Sequence, residues 1–119
     1  MKKIGIIGTR RRRAGIDRKS VREKFFEIYE VGDWIVSGGC PQGGDEFAEK
    51  IAKDYGIPIL IFYPNWIKFG KAAGIIRNTD IADNSDVIIA CVAEDRTGGT
   101  EDTIKKFLKK QPIGELFLV

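Results

Sequence analysis

Three glycine-containing loops hold the residues of this sequence that are best suited to chemistry. They read Gly8-Thr9-Arg10, then Ser37-Gly38-Gly39 followed by Gly43-Gly44-Asp45, and finally Thr97-Gly98-Gly99-Thr100. The second and third loops lead directly into helical patterns. The first main-chain N–H groups of a helix have no partner inside it, and the helix dipole is positive there. The pattern therefore predicts a site for phosphate or a similar anion, and the alternative is that the glycines only form tight turns.

A second group of candidates lies in the segment Gly70-Lys71-Ala72-Ala73-Gly74-Ile75-Ile76-Arg77-Asn78. Lys71 and Arg77 could hold phosphate, because the planar guanidinium of arginine suits bidentate contact and lysine supplies a point charge. Gly74 would permit close approach of a ligand. Asn78 could hydrogen-bond a ribose or cap a neighbouring loop. The alternative for Lys71 and Arg77 is a pair of solvated charges on the helix surface.

Two carboxylates, Asp45 and Asp102, are predicted in the first turns of helices. A carboxylate is stabilised there by the helix dipole and by the free N–H groups. Capping is the better explanation for Asp45. For Asp102, capping and a role in the site stay open.

The residue types that are absent limit the chemistry. The chain contains no histidine, which excludes Ser-His-Asp and Cys-His triads and histidine-ligated metal sites. Cys40 and Cys91 are too far apart for a CxxC motif, so we expect small buried or loop thiols. The sequence predicts neither a metal nor another cofactor.

The run Arg10–Arg13 and the residue Trp66 each allow two interpretations. The arginines could contact the phosphates of a nucleotide or a nucleic-acid backbone, but a solvated loop is the more common case. Arg10 is still expected near the site, because it directly follows the first strand. Trp66 could stack on a base, although we expect a buried tryptophan that anchors a long connection.

Apolar segments rich in β-branched residues predict five strands. They are Ile4–Gly8, Trp34–Ser37, Ile59–Tyr63, Asp86–Val92 and Glu115–Val119.

Helical spacing of apolar residues predicts four helices between these strands. The first buries Val21 and Phe25 with Ile28 and Tyr29, begins with Asp17 as N-cap and stops near Gly32. The second runs from Phe47 to Tyr55 and is closed by Gly56. The third covers 71–84 and follows a long connection at 64–70. The fourth turns Ile104, Phe107 and Leu108 inward.

Strands that are apolar on both faces must be covered on both sides, so the alternation predicts a three-layer αβα, Rossmann-like domain spanning residues 1–119. Right-handed crossovers favour a five-stranded parallel sheet in the order 3-2-1-4-5. That order would make strands two, one and four neighbours. Their three loops would then surround one cleft at the carboxyl edge of the sheet, where ligands bind in such folds.

The overall composition is that of an ordinary soluble protein, with 43% hydrophobic and 31% charged residues among 119. The apolar stretch after Met1 is too short for a signal peptide and no run could span a bilayer, so we expect a cytoplasmic protein. The formal net charge of +3 is consistent with an anionic partner. Neither the GxGxxG nor the GxxxxGK[ST] motif is present, which disfavours a standard dinucleotide site or a P-loop ATPase.

With these motifs in view, the chain resembles the SLOG superfamily, the Rossmann-like group that joins the Lonely Guy proteins to DNA-processing protein A. It is most similar to the small proteins with the domain called DUF2493. The resemblance is carried by the Ser-Gly-Gly and Gly-Gly-Asp loop, by the segment 70–78 and by Thr97–Thr100. In that superfamily, these elements line a pocket for nucleotides or nucleotide-derived ligands.

The resemblance also implies an activity and an assembly. Lonely Guy enzymes carry Pro-Gly-Gly-x-Gly-Thr-x-Glu, whose glutamate helps to cleave the N-glycosidic bond of a nucleoside 5′-monophosphate. If Thr100 aligns with the family threonine, Asp102 replaces that glutamate, while the proline is missing and the glycines are shifted. Asp102, or Glu101, would then stabilise oxocarbenium charge or orient water, and Arg77 would hold the phosphate. The resemblance also predicts a homo-oligomer.

These considerations lead to three functional hypotheses. The first is binding or sensing of a nucleotide or nucleotide-derived phosphorylated ligand. The second is a nucleoside 5′-monophosphate phosphoribohydrolase with Asp102 and Arg77 as catalytic residues, and the third is a module associated with single-stranded nucleic acid. The predicted ligand-binding residues are Gly8, Thr9, Arg10, Ser37, Gly38, Gly39, Gly43, Gly44, Asp45, Lys71, Gly74, Arg77, Asn78, Gly98, Gly99 and Thr100.

Overall fold

The computed structural model describes residues 1–40, 43–111 and 114–119. Strands and helices alternate as the sequence predicts, with one additional short helix after the third strand. The strands are β1 (Lys3–Gly8), β2 (Trp34–Ser37), β3 (Ile59–Ile61), β4 (Val87–Cys91) and β5 (Glu115–Leu118). The helices are α1 (Gly15–Ile28), α2 (Gly44–Tyr55), α3 (Trp66–Phe69), α4 (Ala73–Asp83) and α5 (Gly99–Lys110), with a 3-10 turn at Gly70–Ala72.

The five strands form one parallel sheet in the order β3-β2-β1-β4-β5, which confirms the predicted topology. Central strand β1 pairs with β2 on one side and with β4 on the other, so that Ile4 lies opposite both Ile35 and Val87. The carboxyl ends of β2, β1 and β4 are therefore neighbours at one edge. This edge is where the fold places the three glycine-containing loops.

Each face of the sheet is covered by a pair of helices, because strand residues alternate between the two faces. On one face, α1 and α2 bury Phe25 and Phe47 against Ile4, Ile6 and Ile89. On the other, α4 and α5 bury Ile81, Ile104 and Phe107 against Ile7, Val36 and Ile88. The three-layer arrangement follows directly from the strands that are apolar on both sides.

Two side chains at helix ends differ from the sequence expectation. Asp17 is the third residue of α1, not its N-cap, and its carboxylate accepts the N–H of Ala14 at 3.1 Å. Leu108 is 40% exposed, because Ile104 and Phe107 already fill the inward face of α5. Helix α1 also ends at Ile28, four residues before Gly32, since Tyr29 adopts an extended conformation.

The connection after β3 is more structured than predicted. Strand β3 ends at Ile61, and the long connection predicted at 64–70 contains α3. This helix begins after Asn65, whose side chain accepts the N–H of Lys68 at 3.0 Å. Among the described residues, no helix combines the length and hydropathy needed to cross a membrane.

Candidate functional site

A cavity of about 600 Å³ opens at the carboxyl edge of the sheet. Its volume lies in the range of small-molecule sites. It brings together many of the predicted site residues from loops that are distant in sequence. They are Gly8, Arg10, Gly39, Asp45, Lys71, Gly74, Arg77, Asn78, Gly99, Thr100 and Asp102.

Other predicted site residues do not line this cavity. They are Thr9, Ser37, Gly38, Gly43, Gly44 and Gly98. Several lining residues were not predicted as binding residues, namely Ile7, Cys40, Tyr63, Pro64, Trp66, Ile75, Ile81 and Thr103. The aromatic ones among them, Tyr63 and Trp66, follow β3, and of these only Trp66 was considered from the sequence as a residue that could stack on a base.

The amides of Gly38, Gly39 and Cys40, in the loop after β2, have partners within the protein. The carboxylate of Asp45 accepts the N–H of Gly38 at 3.3 Å and the N–H of Cys40 at 3.0 Å. Gly39 N–H points to the Ser37 hydroxyl at 3.4 Å. These main-chain donors are thus occupied by the protein's own side chains, which corrects the expectation that Gly38 and Gly39 hold an anion. Residues 41–42 of this loop lie outside the described residues.

Asp45 therefore has a structural role in this loop. Burial raises the pKa of its carboxyl, while the N–H groups of Cys40 and Gly38 and the charge of Arg77 act in the opposite direction.

Gly43 and Gly44 are explained by packing of the chain on itself. A Cβ at Gly43, whose φ is +75°, would lie 2.5 Å from the carbonyl oxygen of Thr9. At Gly44 it would lie 2.5 Å from the carbonyl oxygen of Ile7, and closer still to its carbonyl carbon and to the nitrogen of Gly8. The absence of side chains here lets the start of α2 contact the backbone at the end of β1.

The start of α5 is different, because it opens onto the cavity. Around Gly99, no described atom lies within 4 Å of where a Cβ would stand. The amides of Gly99 and Thr100 make no hydrogen bond within the described ranges, and the first amide to find a partner is that of Glu101, which donates to Gly98. Unpaired amides at the positive end of a helix are a type of group that can bind an anion, and an anion at this position stays a prediction.

Two cationic side chains line the same cavity. Arg10 and Lys71 are exposed, and within the part of the chain that the structure describes, neither makes an ion pair or a side-chain hydrogen bond. A ligand could therefore pair with either charge without displacing a partner within the described protein. Together with the Gly99 and Thr100 amides, they give this cavity several groups that favour an anion.

Arg77 and Asn78 connect the loops around the cavity. Arg77 donates to the carbonyl oxygen of Gly38 through Nη1 and to Asn78 Oδ1 through Nε at 3.1 Å. The buried Asn78 side chain donates in turn to Asp102 at 3.1 Å and to the Gly99 carbonyl at 3.4 Å. The Arg77 guanidinium thus fastens the β2 loop to α4. Any contact with a ligand would use its remaining N–H groups.

Asp102 is held as a carboxylate at the cavity wall. Burial raises the pKa of its carboxyl, but hydrogen bonds from Lys106 at 2.9 Å and from Asn78 outweigh this effect and lower the pKa below its usual value. An ionised carboxylate can orient a water molecule or stabilise developing positive charge. It cannot donate a proton to a leaving group.

Glu101, the other carboxylate considered, is engaged elsewhere. It accepts two hydrogen bonds from Arg96, at 2.8 and 2.9 Å, and does not line the cavity. The geometry therefore favours Asp102 over Glu101 as a residue that could act on a ligand.

The four arginines of the run Arg10–Arg13 have different surroundings. Arg11 bonds Asp95 at 3.0 Å and lowers the pKa of that carboxyl to about 2, with a further contribution from Thr97. Arg12 bonds Asp17 at 2.9 Å and the carbonyl oxygen of Val119. These contacts leave only Arg10 and Arg13 facing solvent without such partners in the described structure.

The expectation of a buried Trp66 is wrong. Trp66 is 59% exposed and Tyr63 is 66% exposed, and both line the cavity. Helix α3, where Trp66 lies, contains no buried residue. The indole is therefore not an anchor in the core.

Comparison of the sequence with protein-family models and with curated proteins finds no match. Among solved structures, the chain is similar to the molybdenum cofactor binding protein from the phototrophic bacterium Rippkaea orientalis. The two are 24% identical, the match covers 98% of this chain and 75% of that chain, and the TM-score is 0.73. This similarity supports the Rossmann-like α/β fold, whereas membership of the SLOG or DUF2493 group stays a prediction.

Proposed function

We propose that this protein binds a nucleotide or a nucleotide-derived phosphorylated ligand, with its phosphate at the start of α5. One observation carries the proposal: the unpaired amides of Gly99 and Thr100 open onto the same cavity as the unpaired cations Arg10 and Lys71. Phosphate is the biological group that best matches helix N-terminal amides combined with arginine and lysine.

A small-molecule ligand is also supported by analogy of fold. The similar protein from Rippkaea orientalis is described as binding a cofactor, and ligands of open parallel sheets occupy the carboxyl edge of the sheet. Fold analogy supports a ligand of this size without specifying its chemistry.

Hydrolysis of a nucleoside 5′-monophosphate is the second candidate function. It is favoured by the position of Asp102, an ionised carboxylate two residues after the Thr100 amide on the same cavity wall. With phosphate on the α5 amides, this carboxylate could stabilise an oxocarbenium ion at the sugar or orient the attacking water. Its shorter side chain and the missing proline separate this chain from the enzymes that it resembles.

The proposal is tested by a matched pair of substitutions at helix starts. Gly15 and Gly99 are each the first residue of a helix, and neither has a described atom within 4 Å of a Cβ position. Gly99→Ala places a methyl group at the cavity, whereas Gly15→Ala places it away from the cavity. Both variants should keep or slightly raise stability, by about 0.4–1 kcal/mol.

A thermal-shift screen with nucleoside mono-, di- and cyclic phosphates should first identify a ligand, and calorimetry should then give its affinity. We expect Gly99→Ala to weaken binding at least five-fold and Gly15→Ala to leave it unchanged. Arg10→Gln and Lys71→Gln should each weaken binding and reduce its salt dependence, with Arg13→Gln as the control outside the cavity. Equal affinity for the Gly99 and Gly15 variants would contradict the proposal.

Three further expectations remain predictions. If the protein binds single-stranded DNA, its affinity should fall with salt and on replacing Arg10–Arg13. The ion pairs of Arg11 and Arg12 with other residues of the protein disfavour this function. The expected homo-oligomer can be measured by sedimentation velocity. The cytoplasmic location can be measured by cell fractionation.

A further inference from the structure

The cavity has an aromatic wall made of Tyr63 and Trp66, whose size and exposure call for an explanation. Aromatic side chains supply large apolar contact areas and are normally mostly covered. Here both rings are more than half exposed, and both line the cavity. Within the described ranges, neither ring stacks with another aromatic side chain or lies beneath a cation.

A glycine provides the space that the Tyr63 ring occupies, and another glycine lies beside the Trp66 ring. A Cβ at Gly39, whose φ is +74°, would lie 2.5 Å from two ring carbons of Tyr63, so that ring rests against bare backbone. A Cβ at Gly74 would lie 3.8 Å from the Cη2 atom of Trp66. The glycine of the β2 loop that does not bind an anion thus has a different use, which is to admit an aromatic ring to the cavity wall.

The aromatic wall and the anion site are close enough for one ligand. Helix α4 contacts both: Gly74 lies beside Trp66, and Asn78, one turn later, hydrogen-bonds the carbonyl of Gly99. Four residues of helix correspond to about 6 Å. Because the rings and the α5 amides also line the same cavity, one molecule with a planar ring and a phosphate joined by a short linker could contact both.

We propose that Trp66 and Tyr63 determine ligand specificity by stacking on a planar heteroaromatic ring of the ligand, an inference that rests on the proposed function. The phosphate at α5 would then account for the anionic end of the molecule and the aromatic wall for its ring. Stacking tolerates different bases, because every base presents a π face. The site should therefore separate ring-bearing from ring-less phosphates more strongly than it separates one base from another.

The test uses Trp66 as its own reporter. The chain has two tryptophans, so a Trp34→Phe background leaves Trp66 as the single fluorophore. This protein is titrated with AMP, GMP, CMP and UMP, with ribose 5-phosphate and with adenosine. We expect nucleotides to quench the fluorescence and to bind at least five-fold more tightly than ribose 5-phosphate.

Substitutions complete the experiment. Trp66→Leu, measured by calorimetry, should weaken nucleotide binding roughly five-fold or more while changing ribose 5-phosphate affinity less than two-fold. Tyr63→Leu should act in the same direction. Ile67→Ala, on the same helix and fully exposed but outside the cavity, should change neither affinity.

The outcomes separate this inference from the proposed function. Equal affinity for nucleotides and ribose 5-phosphate, or nucleotide binding unaffected by Trp66→Leu, overturns stacking and leaves the phosphate site intact. Quenching by adenosine with no binding of any phosphate supports stacking and contradicts the phosphate site. Absence of quenching together with absence of binding by calorimetry for every compound overturns both. If Trp66→Leu changed the oligomeric mass measured by sedimentation and left nucleotide affinity unaltered, the indole would form a contact between copies of the protein. This result would also overturn the stacking inference.

Discussion

The Nδ2 of Asn78 lies 3.1 Å from the Oδ2 of Asp102 and joins α4 to the first turn of α5. The amide of Asn78 can have only one orientation, because Arg77 donates to its Oδ1 and the ionised Asp102 accepts from its Nδ2. One buried side chain thus links the residue that fastens the β2 loop to the carboxylate beside the proposed phosphate site. The cavity depends on this connection.

Replacing Asn78 by aspartate should therefore be costly. Asn78→Asp would place a second carboxylate beside Asp102, and the repulsion would raise the pKa of one member of the pair. We expect a loss of about 1–3 kcal/mol in the free energy of unfolding at pH 8. The loss should be smaller at pH 5, where one proton relieves the repulsion.

Urea denaturation at the two pH values measures this difference. The control is Asn65→Asp at the exposed start of α3, where aspartate can accept the N–H of Lys68 as asparagine does. A loss in Asn78→Asp that does not depend on pH would contradict the assigned pairing.

The second candidate function makes a separate prediction about Asp102. If the protein releases base from a nucleoside 5′-monophosphate, Asp102→Asn should lower that rate 10²-fold or more, by about the usual contribution of an acid–base group. Nucleotide affinity should change only a few-fold. Glu101→Gln should keep the rate, because Glu101 is paired with Arg96 outside the cavity.

Chromatographic detection of free base distinguishes these variants. Undiminished release in Asp102→Asn would remove the residue from the mechanism. Absence of release in the unmodified protein would leave binding without hydrolysis.

Glycine at the start of α2 should be indispensable for folding. In Gly44→Ala the new methyl group would overlap the backbone of Ile7 and Gly8, and backbone cannot move aside as a flexible side chain can. We expect a destabilisation of about 3 kcal/mol or more. Gly15→Ala, at the equivalent first position of α1, meets no described atom and should be neutral or stabilising. Comparable thermal stability of the two variants would show that α2 does not need this close contact.

Stability in acid should depend on Asp33. This carboxyl is 2% exposed and, although burial alone raises its pKa, hydrogen bonds from the Lys2 ammonium, the Lys2 N–H and the Glu30 N–H lower it below its ordinary value of 3.8. A lowered folded-state pKa stabilises the protein above the ordinary value. This stabilisation is lost as the pH falls through 3.8 towards the folded-state pKa.

Asp33→Asn should therefore reduce the free energy of unfolding by about 1–3 kcal/mol at pH 7. The difference from the unmodified protein should narrow below pH 3.8, and guanidinium denaturation across this range measures it. Asp54→Asn, on an exposed ion pair with Lys50, is the matched control and should have little effect. A difference that stays constant down to acidic pH would contradict the assignment.

The order of the strands was predictable because apolar periodicity and the handedness of crossovers leave few alternatives for five buried strands. The grouping of the loops after β2, β1 and β4 at one edge of the sheet was predictable for the same reason. The state of the amides in the β2 loop was not, since the sequence does not show that Asp45 turns back to accept the N–H groups of Gly38 and Cys40. Sequence also predicts glycine loops without showing whether the chain itself fills the space beside them. At Gly44 the backbone of Ile7 and Gly8 fills it, whereas at Gly99 the space is open.

The aromatic wall was missed for a related reason. Tyr63 follows an apolar run and was counted with the strand, although β3 ends at Ile61. Trp66 was expected to be buried because large apolar side chains usually are. Only the position of α3 at the mouth of the cavity shows that these rings are exposed.

The most direct test of the phosphate site follows main-chain amides by NMR during a titration with ribose 5-phosphate, which has no aromatic ring to stack beside Gly39. The account predicts that the N–H resonances of Gly99 and Thr100 shift with the ligand, while those of Gly38 and Cys40, which donate to Asp45, stay in place. Shifts at Gly38 and Cys40 with no change at Gly99 and Thr100 would contradict it.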